Sequence, residues 1–78
     1  MIAVVCAVPA ERRAIAGLEG RIVVHVSGMG APAAARTAAA VASQGPRALL
    51  AAGFCGALAG DLRVGDLVAA DEVVDELT

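Results

Sequence analysis

Aromatic side chains are almost absent from this sequence of 78 residues: Phe54 is the only one, and there is no tryptophan or tyrosine. Basic residues are also few, since lysine and arginine together number 6 against 8 acidic residues, giving a net charge of −2. Proteins that bind nucleic acid need basic groups for the phosphates and often use aromatic rings for the bases. The composition therefore argues against a nucleic-acid partner.

Long hydrophobic runs are missing as well, although 59% of the residues are hydrophobic. The charge-free stretches 22–35 and 48–60 both contain glycine and fall short of the roughly 18 apolar residues of a membrane span. The apolar N-terminus has no cationic leader and reaches Glu11 too early for a signal peptide. We therefore expect a cytoplasmic protein with no membrane partner.

Cysteine is scarce, and its positions do not indicate a metal or redox site. Cys6 and Cys55 are far apart in the sequence and outside any C-x-x-C pair. Both lie in apolar runs, which predicts two buried thiols in a reducing compartment. We expect neither a metal nor a cofactor.

Apolar and polar segments alternate in a pattern that is typical of an α/β domain. The β-branched run over residues 2–8 predicts a central parallel strand. Pro32 near the start and Gly45 at the end predict the limits of a helix rich in alanine. The predicted strands cover residues 2–8, 21–27, 48–53 and 67–74, and the predicted helices cover 10–16 and 31–44. The sequence thus predicts an α/β fold over residues 1–78, with a mainly parallel sheet and flanking helices.

The apolar run 48–56 ends in glycines and is predicted to organise the sheet. Gly53 and Gly56 indicate a loop at the carboxyl end of a strand, where the backbone can approach a ligand, and ligands of open α/β sheets bind at this end. Glu11 follows the first strand at the same end. It is either a general base or an acid that complements the dipole of a short helix.

Three further features have structural as well as functional interpretations. Residues 28–33 spell G-x-G-x-x-A between a strand and a helix, but the acidic residue that a dinucleotide site needs about 20 positions later is missing from residues 47–60. A tight turn, an anion site at the helix N-terminus and a dinucleotide site all stay open. His25 is interpreted as a packing or strand-surface residue, and Asp61 and Asp66 as turn residues.

Four blocks of the sequence, in order, resemble the N-terminal third of the nucleoside phosphorylase superfamily, and specifically its 5'-methylthioadenosine/S-adenosylhomocysteine nucleosidase-like branch. They are the opening strand into Glu11, V-S-G-M-G over 26–30, G-F-C-G-A-L over 53–58, and L-R-V-G-D-L-V-A-A-D-E-V over 62–73. The resemblance implies an incomplete nucleoside phosphorylase-like fold. It also implies cleavage of the N-glycosidic bond of a purine nucleoside, as in purine or methionine salvage.

The same resemblance implies roles for individual residues. Glu11 matches the carboxylate that positions the attacking water and stabilises the ribosyl cation. The residues that match the substrate-binding loops are Met29, Gly30, Phe54, Cys55 and Gly56. The implied partners are a purine nucleoside and, in a full-length protein, further copies of the same chain.

Two departures from the family pattern affect the expected chemistry. Phe54 stands where the nucleosidases commonly have serine, which alters the pocket. Ala51 stands where the phosphorylases carry an arginine for phosphate. Water is therefore favoured over phosphate as the nucleophile, although Arg12 or Arg36 remains an alternative ligand for an anion.

The relatives continue beyond the equivalent of Thr78 with the groups that clamp the ribose and protonate the purine. We therefore expect residues 1–78 alone to be an inactive portion of such an enzyme. Two rival hypotheses remain: a nucleotide-binding half-domain that uses residues 28–33, and a truncated remnant without catalysis.

Overall fold

A computed structural model describes residues 1–18 and 20–74 of the chain. In this part the chain forms three strands, two α-helices and one short 3₁₀ turn. In chain order they are β1 (Ile2–Cys6), α1 (Pro9–Ala14), the 3₁₀ turn (Ala16–Leu18), β2 (Ile22–Val26), α2 (Ala31–Ala42) and β3 (Ala48–Ala51). The alternation of strands and helices confirms the predicted α/β class.

The three strands form one parallel sheet in the order β2-β1-β3. Ile2 of β1 lies opposite Ile22 on one side and Ala48 on the other. The first strand is therefore central, as its β-branched run predicted. Because all three strands run in the same direction, their carboxyl ends meet at one edge of the sheet.

The strand order implies that the two helices lie on opposite faces of this sheet. Connections between parallel strands are right-handed in almost all proteins, and because β2 and β3 flank β1 on different sides, such connections place α1 and α2 on different faces. Pro32 lies in the first turn of α2, as predicted, whereas Pro9 opens α1 instead of preceding it. Within residues 1–18 and 20–74, no helix has both the length and the apolar character needed to cross a membrane.

A small core joins the central strand to α2. The buried residues are Ala3, Val4 and Cys6 of β1 and Val41 of α2. The burial of Cys6 confirms one of the two predicted buried thiols. The edge strands are less covered, and Leu50 of β3 is 52% exposed. The central strand, flanked on both sides and covered on both faces, therefore provides most of the core.

The predicted strand over residues 67–74 is wrong. Residues 52–74 contain turns, bends and irregular backbone without a strand, and Leu67 and Val73 are 98% and 89% exposed. A strand needs a neighbour that pairs with its N–H and C=O groups, and this segment does not pair with β2 or β3. The apolar composition of residues 67–74 is not sufficient for a strand when no neighbouring strand is present to pair with it.

The buried position of Val41 predicts a clear effect on stability. Val41→Ala should lower the free energy of unfolding by about 1–3 kcal/mol, because it removes buried methyl groups and leaves a cavity against β1. Val64→Ala makes the same chemical change at a fully exposed position and should have little effect. Urea unfolding of both variants measures the difference, and equal shifts would contradict the assignment of Val41 to the core.

Candidate functional site

A cavity of about 230 Å³ lies at the carboxyl edge of the sheet. It is walled by the ends of all three strands and by the loops that follow them. Among the residues that line it are Cys6, Ala7, Glu11, Ser27, Gly28, Gly30, Ala51 and Ala52. Glu11 is the only one of the lining residues with a carboxyl group, so it dominates the charge of the cavity.

Three backbone N–H groups hold the carboxylate of Glu11. Ala7 and Val8 donate to Oε1 at 2.9 and 3.3 Å. These two bonds are local, because Glu11 is the third residue of α1 and Val8 is its N-cap. The third bond comes from the loop after β3, where the N–H of Phe54 donates to Oε2 at 2.8 Å.

Gly53 allows this third contact. A Cβ atom at position 53 would lie 2.5 Å from Oε2 of Glu11 and 3.1 Å from its Cδ, which is closer than atoms of this kind approach. The sequence predicted that this glycine lets the backbone approach a ligand. In the structure the backbone approaches the carboxylate of Glu11 instead.

The hydrogen bonds favour the ionised form of Glu11. The N–H of Phe54 is the largest cause that lowers its pKa, followed by the N–H of Ala7, while partial burial acts in the opposite direction and Val8 adds a smaller lowering effect. Glu11 is therefore ionised at neutral pH. A carboxylate has about four acceptor sites, so about one remains free, on Oε2.

The loop after β2 forms another wall of the cavity. The backbone N–H of Ser27 donates to the carbonyl of Cys6 at 2.9 Å, and its hydroxyl donates to the carbonyl of Gly28 at 2.7 Å. Gly28 and Gly30 have φ angles of 85° and 96°, which favour glycine. The loop brings Gly30 to the cavity, whereas Met29 between them is 79% exposed and outside the lining.

The predicted substrate-binding residues of the loop after β3 are divided between two places. Phe54 contributes its N–H beside the cavity, and its ring is 68% exposed. Cys55 and Gly56 instead line a separate cavity of about 320 Å³ formed by residues 55–68. Cys55 is exposed, so its predicted burial is wrong. Cys55 lies on the loop after β3, and no helix or strand in the described part of the chain covers this loop.

Other polar residues do not join the site. His25 is half-buried in β2, and its Nε2 has no hydrogen-bond partner. Asp66 accepts a bond from the N–H of Arg63 at 2.9 Å, as a turn residue does. In the described ranges 1–18 and 20–74, no group of three His, Cys, Asp or Glu side chains is arranged to hold a metal ion.

The sequence indicates Glu11 as a candidate, but it does not indicate that the N–H groups of Ala7 and Phe54 bind the carboxylate. The glycine at 53 was the one available signal, because it directly follows the end of an apolar strand. No residue near Gly53 in the sequence indicates that this glycine would lie against Glu11, which is 42 residues earlier in the chain.

Comparison with known proteins gives one match. A family model described as the Phosphorylase superfamily matches residues 2–78. No curated protein and no solved structure matches the chain significantly. The matched region contains Glu11, the loop after β2 and the loop after β3, which together form the cavity.

The lowered pKa of Glu11 predicts how stability depends on pH. Because this pKa is lowered in the folded state, the stabilisation is present above the unfolded-state pKa of about 4.3 and is lost as the pH falls through the folded-state pKa. Glu11→Gln replaces one acceptor oxygen by an amide that cannot accept from an N–H. The stability difference between wild type and Glu11→Gln should therefore shrink as the pH falls.

Urea unfolding at a series of pH values from neutral downwards measures this difference. Glu72→Gln is the matched control, because Glu72 is an exposed acid in the irregular segment and the same substitution there leaves the bonds to Glu11 intact. A gap between wild type and Glu11→Gln that stays constant with pH would contradict the role of the ionised carboxylate.

Proposed function

Because the chain belongs to the phosphorylase superfamily, by the match over residues 2–78, we propose that it forms part of an enzyme that cleaves the N-glycosidic bond of a purine nucleoside, with Glu11 positioning the nucleophile. The observation that carries the proposal is the ionised Glu11 carboxylate, fixed by three backbone N–H groups in a cavity at the carboxyl edge of the sheet. This edge is where open α/β sheets bind their ligands.

The charge of Glu11 suits this reaction. As the bond between the base and the ribose breaks, positive charge develops on the ribose, and a nearby fixed carboxylate stabilises it. This carboxylate is charged at neutral pH, and its lowered pKa extends the charged range to lower pH. Its remaining acceptor site on Oε2 matches the need to orient one O–H of an attacking water.

The cavity favours water over phosphate. Its only ionised side chain is negative, and Ala51 and Ala52 stand at the end of β3. An approaching phosphate would meet a like charge with no arginine among the lining residues. Arg12 and Arg36, the alternative ligands for an anion, do not line this cavity. We therefore propose hydrolysis.

The proposed substrates are 5'-methylthioadenosine and S-adenosylhomocysteine. A volume of about 230 Å³ is below the roughly 300–1,000 Å³ of pockets that enclose a whole ligand, so this cavity suits the reacting centre alone. Met29, Gly30, Phe54, Cys55 and Gly56 are proposed to contact the rest of the nucleoside. The exposed side chains of Met29 and Phe54 are apolar, as a thioether substituent requires.

Protonation of the leaving purine needs a further group. Glu11 is ionised and serves the nucleophile, and the described lining of the cavity contains no other carboxyl group. The absence of a general acid typically costs about 10²- to 10⁴-fold in rate. We therefore propose that residues 1–78 by themselves are inactive and that the same reading frame or a further chain supplies the acid.

Purine release tests the proposal directly. Methylthioadenosine, adenosylhomocysteine and inosine are assayed with residues 1–78 and with any longer in-frame product, each with and without phosphate. Activity in the longer product that is independent of phosphate is expected for a hydrolase. Activity that requires phosphate would contradict the proposed nucleophile, and no purine release from any nucleoside would contradict the proposed function.

Substitution of Glu11 tests its role in turnover. In the active form, Glu11→Gln should lower kcat by about 10²- to 10⁴-fold while nucleoside affinity changes much less, because the carboxylate acts on the nucleophile. Glu72→Gln is the matched control and should retain the wild-type rate. Full activity in Glu11→Gln would contradict the assignment.

A further inference from the structure

Gly53 is a glycine for reasons of space and not of backbone conformation. The glycines with positive φ in the described residues are Gly20, Gly28, Gly30, Gly45 and Gly65, and Gly53 is not one of them. Any residue can therefore adopt its backbone angles. What excludes a side chain is the carboxylate of Glu11, with Oε2 at 2.5 Å and Oε1 at 3.4 Å from the position of a Cβ.

We propose that Gly53 is a positioning residue for Glu11: its missing side chain lets the loop after β3 close on the carboxylate, so that the Phe54 N–H fixes Oε2. This inference rests on the proposed function, in which Glu11 orients the nucleophile. Gly53 does not itself touch the nucleophile. It acts through the placement of Glu11.

The contact fixes the orientation of the carboxylate. Oε1 is held by Ala7 and Val8, which are four and three residues before Glu11 and belong to the same turn. These two bonds are local to the start of α1 and hold only one of the two carboxylate oxygens. The Phe54 N–H at 2.8 Å holds the second oxygen, and the one acceptor site left on Oε2 then has a fixed direction.

The same contact affects the pKa of the nucleophile-orienting group. The Phe54 N–H is the largest cause of the lowered pKa of Glu11. A methyl group at position 53 would push the loop and the carboxylate apart and weaken this bond. Both the direction of the carboxylate and the pKa of Glu11 therefore depend on a position that carries no functional group.

Gly53→Ala tests the proposal in the full-length protein, with Gly17→Ala as the control. A Cβ at Gly17 meets nothing within 4 Å, and Gly17 also lacks a positive φ. In Gly53→Ala the pKa of Glu11, followed by NMR of its carboxyl carbon, should rise towards the ordinary value. The acid limb of the kcat profile should move to higher pH with it, and kcat should fall by about 10²-fold, as a misplacement of about 1 Å causes.

KM should change less than kcat, since the loss concerns the nucleophile. Gly17→Ala should match wild type in the pKa of Glu11, in the pH profile and in kcat. An unchanged pKa of Glu11 together with an unchanged acid limb in Gly53→Ala would overturn the proposal, even if Glu11→Gln is inactive and the proposed function stands.

A second pair of variants distinguishes a clash with the Glu11 carboxylate from a general folding defect in Gly53→Ala. Glu11→Ala removes the carboxylate that a methyl group at position 53 would contact. The loss of stability caused by Gly53→Ala in urea unfolding should therefore disappear in the Glu11→Ala background. An equal loss in both backgrounds would overturn the proposal, because it would assign the defect to another contact.

The two hypotheses can fail separately. A rise in the pKa of Glu11 in Gly53→Ala, combined with a full-length wild type that releases no purine, would support Gly53 as the positioning residue and contradict only the proposed function. Normal turnover in wild type, combined with an unchanged pKa of Glu11 in Gly53→Ala, would support the proposed function and contradict only the role of Gly53 as the positioning residue.

Discussion

The carboxylate of Glu11 connects parts of the chain that the sheet brings to one edge. It accepts hydrogen bonds from the segment between β1 and α1 and from the loop after β3. Backbone N–H groups that lack a partner are costly away from water, and a charged acceptor satisfies them more strongly than a neutral one does. One side chain thus completes the start of α1, fixes the loop after β3 and gives the cavity its charge.

The topology explains why this connection forms beside β1. The first connection leads from β1 to β2 on one side of β1, and the second leads from β2 to β3 on the other side of β1. The loops after β1 and β3 therefore separate from the loop after β2 beside β1. In open α/β sheets such a change of direction produces a crevice at the carboxyl ends of the strands. Glu11, Gly30 and Ala52 line the cavity found there.

The rest of the described chain is less constrained. The buried core is confined to β1 and one valine of α2, while residues 52–74 expose several large apolar side chains, among them Leu58, Val64 and Leu67. The loop after β3 is therefore not held by a covering layer at its far end. Its first residues are placed by the N–H of Ala52, which donates to the carbonyl of Val5 at 3.0 Å, and by the bond from Phe54 to Glu11, which makes these contacts important for the geometry of the site.

The sequence by itself determined the three strands and two helices over residues 2–51 and their order. The β-branched run of β1, Pro32 at the start of α2 and the apolar run of β3 act through neighbours a few residues away, and the structure confirms all three. The sequence also predicted that Glu11 lies at the carboxyl end of the first strand, where open α/β sheets bind their ligands. The family resemblance is confirmed at the level of the superfamily.

Only the tertiary structure decided the contacts between distant segments. The approach of Gly53 to Glu11, the exposure of Cys55 and the absence of a strand over residues 67–74 depend on which surfaces the assembled sheet covers. Periodicity reports that a segment is apolar, but it does not report whether a partner is present to pair with it. A glycine likewise shows that space is needed, and only the folded chain shows that the space is filled by a carboxylate.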